Sequence, residues 1–249
     1  MNFKKYNRLL GFLSGFCAFI VYLLTVEPTA SYWDCAEYIS TSAKLQIGHP
    51  PGAPLFQMLG AVFSILAFEN TQIAYAINMM SVTSSALTIV FMFWSVSLLG
   101  KKILKVKSEI SSEESFKIFG AAFLTTFTFM FTDSFWFNAV EAEVYAMATL
   151  ILSVLFWLGL KWESEFENER SDKWLILISF VIGLSFGVHF MGLLAIPSIG
   201  LIYYFKKYSN FELKSFLIAN VVSVSVLLFI FKLLLPSTLK LFGYLEVFF

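Results

Sequence analysis

Two carboxylic acids and a histidine follow the first long apolar segment of the chain. Asp34 and Glu37 are three residues apart, so a helix would place both on one face. Trp33, beside Asp34, is a residue type enriched at membrane interfaces. His49 immediately precedes two prolines, which favour an extended, rigid backbone. An acidic pair beside a membrane surface is costly unless it binds a cation, holds a proton or deprotonates a substrate.

The same spacing also has a purely structural interpretation. Ser31 is a suitable helix N-cap, Asp34 would then stand at the third helical position of a capping arrangement, and Glu37 would be a solvated side chain. A lone histidine is usually a satisfied polar residue. The spacing leaves both interpretations open, and the position of His49 near the acids favours a shared site.

A second acidic segment follows the aromatic residues 135–137. Glu141 and Tyr145 are four residues apart at an expected helix start, with Glu143 between them. The helix dipole favours carboxylates at that position and is the non-functional explanation for both acids. His189, the only other histidine of the sequence, lies at a third polar corner. Convergence of these residues with the first group would form one site.

The composition indicates which elements must position these residues. Hydrophobic residues make up 58% of the 249 residues, charged residues only 14%, and the mean hydropathy is +0.77. Backbone polar groups cannot be left unpaired in lipid, so long apolar segments should be helices. The predicted fold class is therefore all-α, a polytopic membrane protein. The apolar runs lie near residues 9–26, 53–68, 73–99, 116–132, 143–160, 174–190, 192–205 and 213–235.

The distribution of lysine and arginine predicts which runs cross the membrane. If every run crossed, the lysines of residues 101–107 would lie opposite the basic N-terminus, against the positive-inside rule. If residues 53–68 lie along the interface instead, 14 of the 17 basic residues fall on the N-terminal side. This predicts about seven transmembrane helices plus one interfacial helix, with a cytoplasmic N-terminus and the candidate site outside. A short tilted span at residues 53–68 is the alternative.

Several classes of protein are disfavoured. A formal net charge of zero gives no basic field for nucleic acid, and two cysteines give no disulfide framework. Phosphate-loop and zinc-protease motifs are absent from the sequence. The first apolar run is longer than a signal-peptide core and is expected to be a retained anchor. We expect residues 1–249 to form a single transmembrane domain, the N-terminal part of a longer protein.

Three segments resemble a known family: YWDCAEY at residues 32–38, LQIGHPPGAPL at 45–55 and FWFNAVEAEVY at 135–145. They are similar to the membrane-embedded GT-C glycosyltransferases, particularly protein O-mannosyltransferases. The closest resemblance is to bacterial relatives of the vertebrate O-mannosyltransferase that modifies plexin-type domains. Two features differ from many O-mannosyltransferases: the acids there are adjacent, and a basic residue often follows His-Pro-Pro.

The resemblance implies transfer of a sugar, expected to be mannose, from a polyprenyl-phosphate donor to Ser or Thr of exported proteins at the plasma membrane. It implies catalytic roles for Asp34, as base, and Glu37. Glu141 and Glu143 would orient sugar hydroxyls or hold a divalent cation. The expected substrate-binding residues are His49, Trp33, Glu141, Glu143, Tyr145 and His189. The rival hypotheses are a lipid-linked sugar flippase or transporter, which would place acids deep within spans, and a non-catalytic membrane scaffold.

Overall fold

The computed structural model describes residues 2–106, 110–208 and 210–248, and every regular element in these ranges is helical. The all-α prediction is therefore confirmed. Short 3-10 turns at Asn70–Gln72 and Phe190–Leu194 and a π turn at Ile230–Leu234 connect some of the helices. The α-helices are α1 Phe3–Leu23, α2 Cys35–Lys44, α3 Pro54–Ser64, α4 Ile73–Ile103, α5 Ser112–Met130, α6 Asp133–Ala139, α7 Val144–Ser164, α8 Asp172–Ser185, α9 Ala195–Lys207, α10 Leu213–Phe229 and α11 Leu235–Phe248.

Several helices are long and apolar enough to cross a bilayer. Within the described ranges four qualify: α1, α4 with its preceding 3-10 turn, α7, and the continuous helical stretch from α10 to α11. The pair α5 and α6, bent by 70° between them, would be a fifth. Helices α8 and α9 have 14 and 13 residues, about 20 Å each, which is short of a hydrocarbon core of about 30 Å. The chain is thus a membrane protein, and the count of seven spans stays a prediction.

Helix α3 is the element expected at the interface. It has 11 residues, which span roughly 16 Å and cannot cross the hydrocarbon core. Pro54 occupies its first turn, where the missing amide hydrogen has no helical partner to lose. The next amides, of Leu55 and Phe56, donate to the carbonyl oxygen of Gly187 at 2.7 and 3.1 Å. This contact fixes the start of α3 against the corner that follows α8.

Helix α4 is the centre of the bundle, with α1, α5 and α7 packed around it. The buried face of α1 consists mostly of small residues, among them Gly11, Gly15 and Ala18. A Cβ atom built on Gly15 would meet the Val90 side chain and the Ala86 carbonyl oxygen of α4. Close approach of the two backbones therefore depends on the small residues of α1, as is common between membrane helices.

Besides the packing around α4, a second core region lies where the ends of several helices meet. Buried residues from α2, α3, the first turns of α4 and α7, and the corner after α8 form one apolar cluster, including Cys35, Phe56, Ile77, Met147 and Val188. Helix α1 ends nearby, since the loop that follows it is bonded to α4 and to the segment before α7. This end of the bundle carries every residue predicted to do chemistry.

Candidate active site

His49 connects the two acids of the first group. Its ring Nδ1 lies 3.0 Å from Glu37 Oε2, and its backbone N–H donates to Glu37 Oε1 at 2.5 Å. Its Nε2 lies 3.8 Å from Asp34 Oδ2. The spacing argument placed both carboxylates on one face of a helix, and in the structure both face the same imidazole. The structure therefore brings together Asp34, Glu37 and His49.

The capping interpretation of this segment is wrong. Helix α2 begins at Cys35, so Asp34 is itself the N-cap residue, and its side chain makes no capping hydrogen bond. The hydroxyl of Ser31 donates instead to the Glu141 carboxylate. Asp34 is thus held at the helix start by the backbone and by burial of the adjacent Cys35, and its carboxylate stays available for other partners.

The contacts around His49 shift two pKa values in opposite directions. The hydrogen bond to Glu37, followed by the charges of the nearby acids, raises the pKa of His49. The backbone and side-chain hydrogen bonds from His49 lower the pKa of Glu37. These shifts favour an imidazolium beside a carboxylate over a wider pH range than the ordinary pKa values would. Both groups are exposed to solvent, so water screens their attraction.

Tyr38 and Gln57 form the buried side of this group. The Tyr38 ring lies 6.0 Å from the His49 ring and 5.2 Å from Phe56, and burial, followed by the charges of nearby acids, raises the pKa of Tyr38 to about 12. The buried Gln57 side-chain nitrogen has no hydrogen-bond partner among the described residues. A Cβ atom on Gly48 would lie 3.0 Å from Glu37 Oε1 and 3.1 Å from that nitrogen. Because Gly48 has no side chain, the side chains of Glu37 and Gln57 can both approach its backbone.

Glu141 and Glu143 lie in the segment between α6 and α7. Helix α7 begins at Val144, so Glu141 precedes the helix rather than starting it, and Glu143 is the N-cap residue. Glu143 is 5% exposed, and burial, with smaller effects of the Glu141 and Asp34 charges, raises its pKa to about 7. Its Oε1 has no hydrogen-bond partner in the described part of the chain. Burial also raises the pKa of Glu141, which accepts the Ser31 bond.

Tyr145 and His189 form a neighbouring pair whose ring centroids are 5.4 Å apart. The His189 Nδ1 accepts a hydrogen bond from the Met191 backbone N–H at 3.3 Å. Burial lowers the pKa of His189, so the ring is neutral at pH 7. Because Nδ1 is an acceptor, the proton belongs on Nε2, which leaves a donor rather than a cation.

Trp33, which was predicted to bind substrate, is not packed into the protein core. Its side chain is 86% exposed, and its φ of 61° is in the left-handed region. A left-handed backbone is uncommon for a residue with a side chain, and it turns the chain sharply just before α2. Trp33 is therefore placed to contact lipid or a bound molecule, not the protein core.

A divalent cation would find its best ligand set around His49. One ligand atom from each of Asp34, Glu37 and His49 lies within 4.8 Å of the others, close enough for a single ion. Oxygen and imidazole ligands suit ions such as Mn²⁺ or Zn²⁺. The resemblance implied that Glu141 and Glu143 orient sugar hydroxyls or hold the cation, but an oxygen of Glu141 already accepts the Ser31 hydroxyl.

Asn78 is a supporting residue that sequence reasoning missed. It is fully buried in α4, and its side-chain nitrogen donates to the backbone carbonyls of Glu27 and Thr29 at 2.7 and 2.8 Å. Its oxygen lies 3.9 Å from Cys35 Sγ. Asn78 thus ties the segment that carries Asp34 to the central helix. A single asparagine in the first turns of an otherwise apolar span was the only signal for it.

Comparison with known proteins supports the interpretation of these motifs. Residues 34–212 match the family described as "Protein O-mannosyl-transferase TMEM260 N-terminal domain". The matched range begins at Asp34 and contains every residue of the site except Trp33 and Ser31. No solved structure matches the chain.

Two curated relatives carry the same name. "Protein O-mannosyl-transferase tmem260" of Dictyostelium discoideum is 28% identical over 191 residues, 72% of this chain and 21% of the relative. "Protein O-mannosyl-transferase TMEM260" of Mus musculus is 25% identical over 165 residues, 66% of this chain and 21% of the relative. The chain thus spans about a fifth of the length of each relative. Because the family match covers well over half of its residues, the chain belongs to the family of protein O-mannosyl-transferase TMEM260 N-terminal domains.

Proposed function

We propose that this chain is the catalytic membrane domain of a GT-C-type protein O-mannosyltransferase. It would transfer mannose from a polyprenyl-phosphate donor to Ser or Thr of exported proteins. The observation that supports this is the clustering of Asp34, Glu37 and His49 at one end of the helices, within the range that matches the family. A multi-pass plasma-membrane location with a cytoplasmic N-terminus and an extracytoplasmic site accords with the distribution of basic residues.

Asp34 is the proposed catalytic base in a single displacement with inversion at the anomeric carbon. The acceptor hydroxyl oxygen attacks that carbon, the bond to the phosphate oxygen breaks, and the polyprenyl phosphate leaves with the bonding electrons. The hydroxyl proton passes to the Asp34 carboxylate, which has no capping bond to lose. Glu37 holds His49, and His49 in turn lies beside Asp34 and orients it.

The departing phosphate requires donors or positive charge. His49 is the favoured cation of the site because Glu37 raises its pKa, whereas His189 is neutral and offers one N–H. The first amides of α7 add the partial positive charge of a long helix N-terminus beside Glu143. The backbone amides at the start of α3, those of Leu55 and Phe56, already donate to the Gly187 carbonyl oxygen. Helix α3 is therefore not part of the phosphate contact.

The remaining residues would bind the sugar and the acceptor. Glu143 has an unpartnered buried oxygen and a pKa near 7, which suits a hydrogen bond to a sugar hydroxyl in either protonation state. Glu141 would orient the segment that carries it through Ser31. Tyr145 and exposed Trp33 offer aromatic surfaces to the sugar ring or acceptor.

A divalent cation on the His49 group is tested by removing metal with EDTA and restoring Mn²⁺ before measuring transfer.

The decisive experiment compares sugar transfer by wild type and Asp34→Asn, with the gene that encodes this chain expressed in membranes. The assay supplies polyprenyl-phosphate mannose and an acceptor peptide rich in Ser and Thr. Loss of a general base costs about 10²- to 10⁴-fold, so we expect at least a hundredfold lower turnover. Asp133→Asn is the matched control, because Asp133 is an exposed acid in the first turn of α6. It should stay within about twofold of wild type.

Three outcomes would contradict the proposal. Equal transfer by wild type and Asp34→Asn would remove Asp34 from the chemistry. Absence of transfer in wild type, together with movement of the lipid-linked sugar across vesicles, would favour a flippase. Absence of both activities would leave a membrane scaffold.

A further inference from the structure

A cavity lies at the end of the helix bundle opposite the candidate active site. It has a volume of about 400 Å³ and lies between the start of α1 and the ends of α4 and α7. Four basic side chains line it: Lys4, Arg8, Lys101 and Lys161. The candidate active site lies near the end of α1 and the starts of α4 and α7, so the length of these helices separates the two regions.

Aromatic residues form the floor of this basic cavity. Trp94 and Trp157 line it, with ring centroids 5.9 Å apart. The Trp94 indole N–H donates to the Asn7 backbone carbonyl at 3.2 Å and so holds the first turns of α1 on α4. The cavity therefore combines a charged rim with an apolar wall between membrane helices. Its volume is within the usual range for small-molecule sites.

Most of the positive charge at this cavity is not neutralised by acids of the described residues. Among the residues with described positions, no ion pair involves Lys4, Arg8 or Lys101. Lys101 lies 5.5 Å from the centre of the Phe3 ring. Lys161 alone has an acid, Glu165, at 2.9 Å. Cations that converge without acids repel one another, and a bound anion would relieve that repulsion.

Neighbouring lysines at the same end show the contrast. Lys102 and Lys206 both pair with Glu163, at 2.5 and 3.2 Å. Lys117 pairs with Glu113 at 2.6 Å, one helical turn before it. Glu163 and Glu113 are thus paired with lysines outside the basic cavity. Among the residues that the structure describes, the lack of an acidic partner distinguishes Lys4, Arg8 and Lys101 from these lysines.

A buried hydroxyl provides an independent indication of a ligand. Ser97 lines the cavity and is 1% exposed, yet its Oγ has no hydrogen-bond partner in the described part of the chain. The side-chain oxygen of Asn7, which also lines the cavity, is likewise buried without a partner. Leaving buried polar groups unpaired costs about 1–3 kcal/mol each. A ligand that accepts a hydrogen bond from the Ser97 hydroxyl and donates one to the Asn7 side-chain oxygen, as a glycerol hydroxyl of a head group can, would satisfy both.

The geometry points to a binding site for the phosphate head group of an anionic phospholipid. Arginine and lysine bind phosphate through charge-assisted hydrogen bonds, and basic pockets between membrane helices recognise such head groups. The apolar tryptophan wall favours a lipid over free phosphate, because the glycerol and acyl carbons would pack on it. The positive-inside rule places the cavity at the cytoplasmic leaflet. This site is independent of the proposed sugar transfer.

The test titrates the full chain, in neutral detergent micelles, with phosphatidylglycerol, phosphatidylcholine or inorganic phosphate. Apparent affinity is read from the rise in melting temperature, since a ligand of the folded state stabilises it. We expect a rise with phosphatidylglycerol only. The variant R8Q/K101Q should bind at least about tenfold more weakly, because a hydrogen bond to a charged group contributes about 1.5–3 kcal/mol.

The matched control removes the same amount of charge from the same end. K102Q/K117Q alters lysines paired with acids and should retain wild-type affinity. The variant R8K/K101R keeps both charges and should also bind, which guards against loss of folding; circular dichroism checks helix content of all variants. Equal binding by R8Q/K101Q and wild type would overturn the site. A response to inorganic phosphate but not to phosphatidylglycerol would overturn the assignment to a lipid.

Discussion

His49 carries more of the site than its position in the sequence suggests, because it lies against both Glu37 of α2 and Asp34, the N-cap residue of that helix. The raised pKa of His49 means that its pairing is complete below the ordinary value of 6.5 and is lost as pH rises through the raised value. The lowered pKa of Glu37 means that pairing is complete above 4.5 and is lost as pH falls through the lowered value. The paired geometry is therefore fully populated between these two ordinary values.

The first prediction concerns the alkaline limb of the pH profile of sugar transfer. In Glu37→Gln the imidazole loses its carboxylate, so the pKa of His49 should fall towards 6.5. The alkaline decline of kcat/KM should then move to lower pH. The measurement is transfer against pH for wild type and Glu37→Gln, with Glu69→Gln as an exposed control outside the group. An unmoved alkaline limb would show that His49 does not control activity through Glu37.

Glu143 gives the second prediction, which concerns stability. Burial raises its pKa from 4.5 to about 7, so the folded state favours the protonated acid. The free energy of unfolding should fall as pH rises from 4.5 through 7, because ionised Glu143 then lacks solvation. Glu143→Gln, a neutral side chain of the same size, should remove this dependence. At pH 8 it should be more stable than wild type by up to about 3 kcal/mol, the free energy that corresponds to this pKa shift.

The readout for Glu143 is the melting temperature in detergent at pH 5, 6, 7 and 8. Glu167→Gln, an exposed acid in the loop after α7, is the control and should keep the wild-type slope. An identical slope in Glu143→Gln and wild type would mean that Glu143 is solvated in the folded protein.

At the residue scale the sequence predicted which residues of the first group lie together, but not the contacts that support them. The three-residue spacing of Asp34 and Glu37 and the rigid placement of His49 led to the same group that the structure shows. Gln57 and Asn78 could not be found in this way, because their roles depend on contacts with distant segments. The pKa shifts of Glu143 likewise depend on burial, which no local pattern of acids reveals.

Among the elements, the α1–α4 contact depends on glycine. Gly15 has no room for a Cβ atom, because Val90 and the Ala86 carbonyl lie against it, and backbone cannot move aside easily. We therefore predict that Gly15→Ala lowers the free energy of unfolding by about 1–3 kcal/mol, the usual cost of overpacking. Gly120→Ala in α5 is the control, since nothing lies within 4 Å of its Cβ position. It should be neutral or slightly stabilising, as alanine favours helix.

Denaturation in mild detergent, followed by circular dichroism, measures both glycine variants. If Gly15→Ala and Gly120→Ala have equal stability, the two helices are farther apart than the structure places them. This contact also determines the shape of the basic cavity, because α1 and α4 both line it.

Hydropathy predicted the positions of the helices along the chain better than it predicted their lengths. The long apolar runs became α1, α4 and α7, since unbroken apolar sequence in lipid leaves helix as the only way to pair the backbone. The run at 53–68 shortened to α3 because the helix ends at Ser64, where the following amides of residues 65–67 bond three residues back in a turn. The runs at 174–190 and 192–205 became shorter helices because a tertiary contact interrupts them: the Gly187 carbonyl bonds to α3. Such contacts between distant segments leave no periodic signal.

For the whole molecule, the central feature is that one set of helices has chemically different ends. The starts of α4 and α7 lie beside acids and His49, whereas their other ends carry the basic cavity. An acidic end suits an acceptor hydroxyl that must lose a proton, and a basic end suits the anionic leaflet. The two proposals therefore require that these ends face opposite sides of the membrane.

Single cysteines test this orientation. The natural Cys35 is fully buried and would resist labelling from either side, so it is unsuitable as a reporter. In a background without native cysteines, Ile47→Cys reports the acidic end and Ile103→Cys the basic end, because these side chains are 96% and 77% exposed. A membrane-impermeant maleimide added outside intact cells should label position 47 only. Permeabilised cells should show labelling of both positions. Labelling of 103 alone from outside would reverse the orientation, and labelling of both would place the two ends on one side. The first result would separate the acidic group from the exported proteins that it is proposed to modify, and the second would remove the basic cavity from the cytoplasmic leaflet.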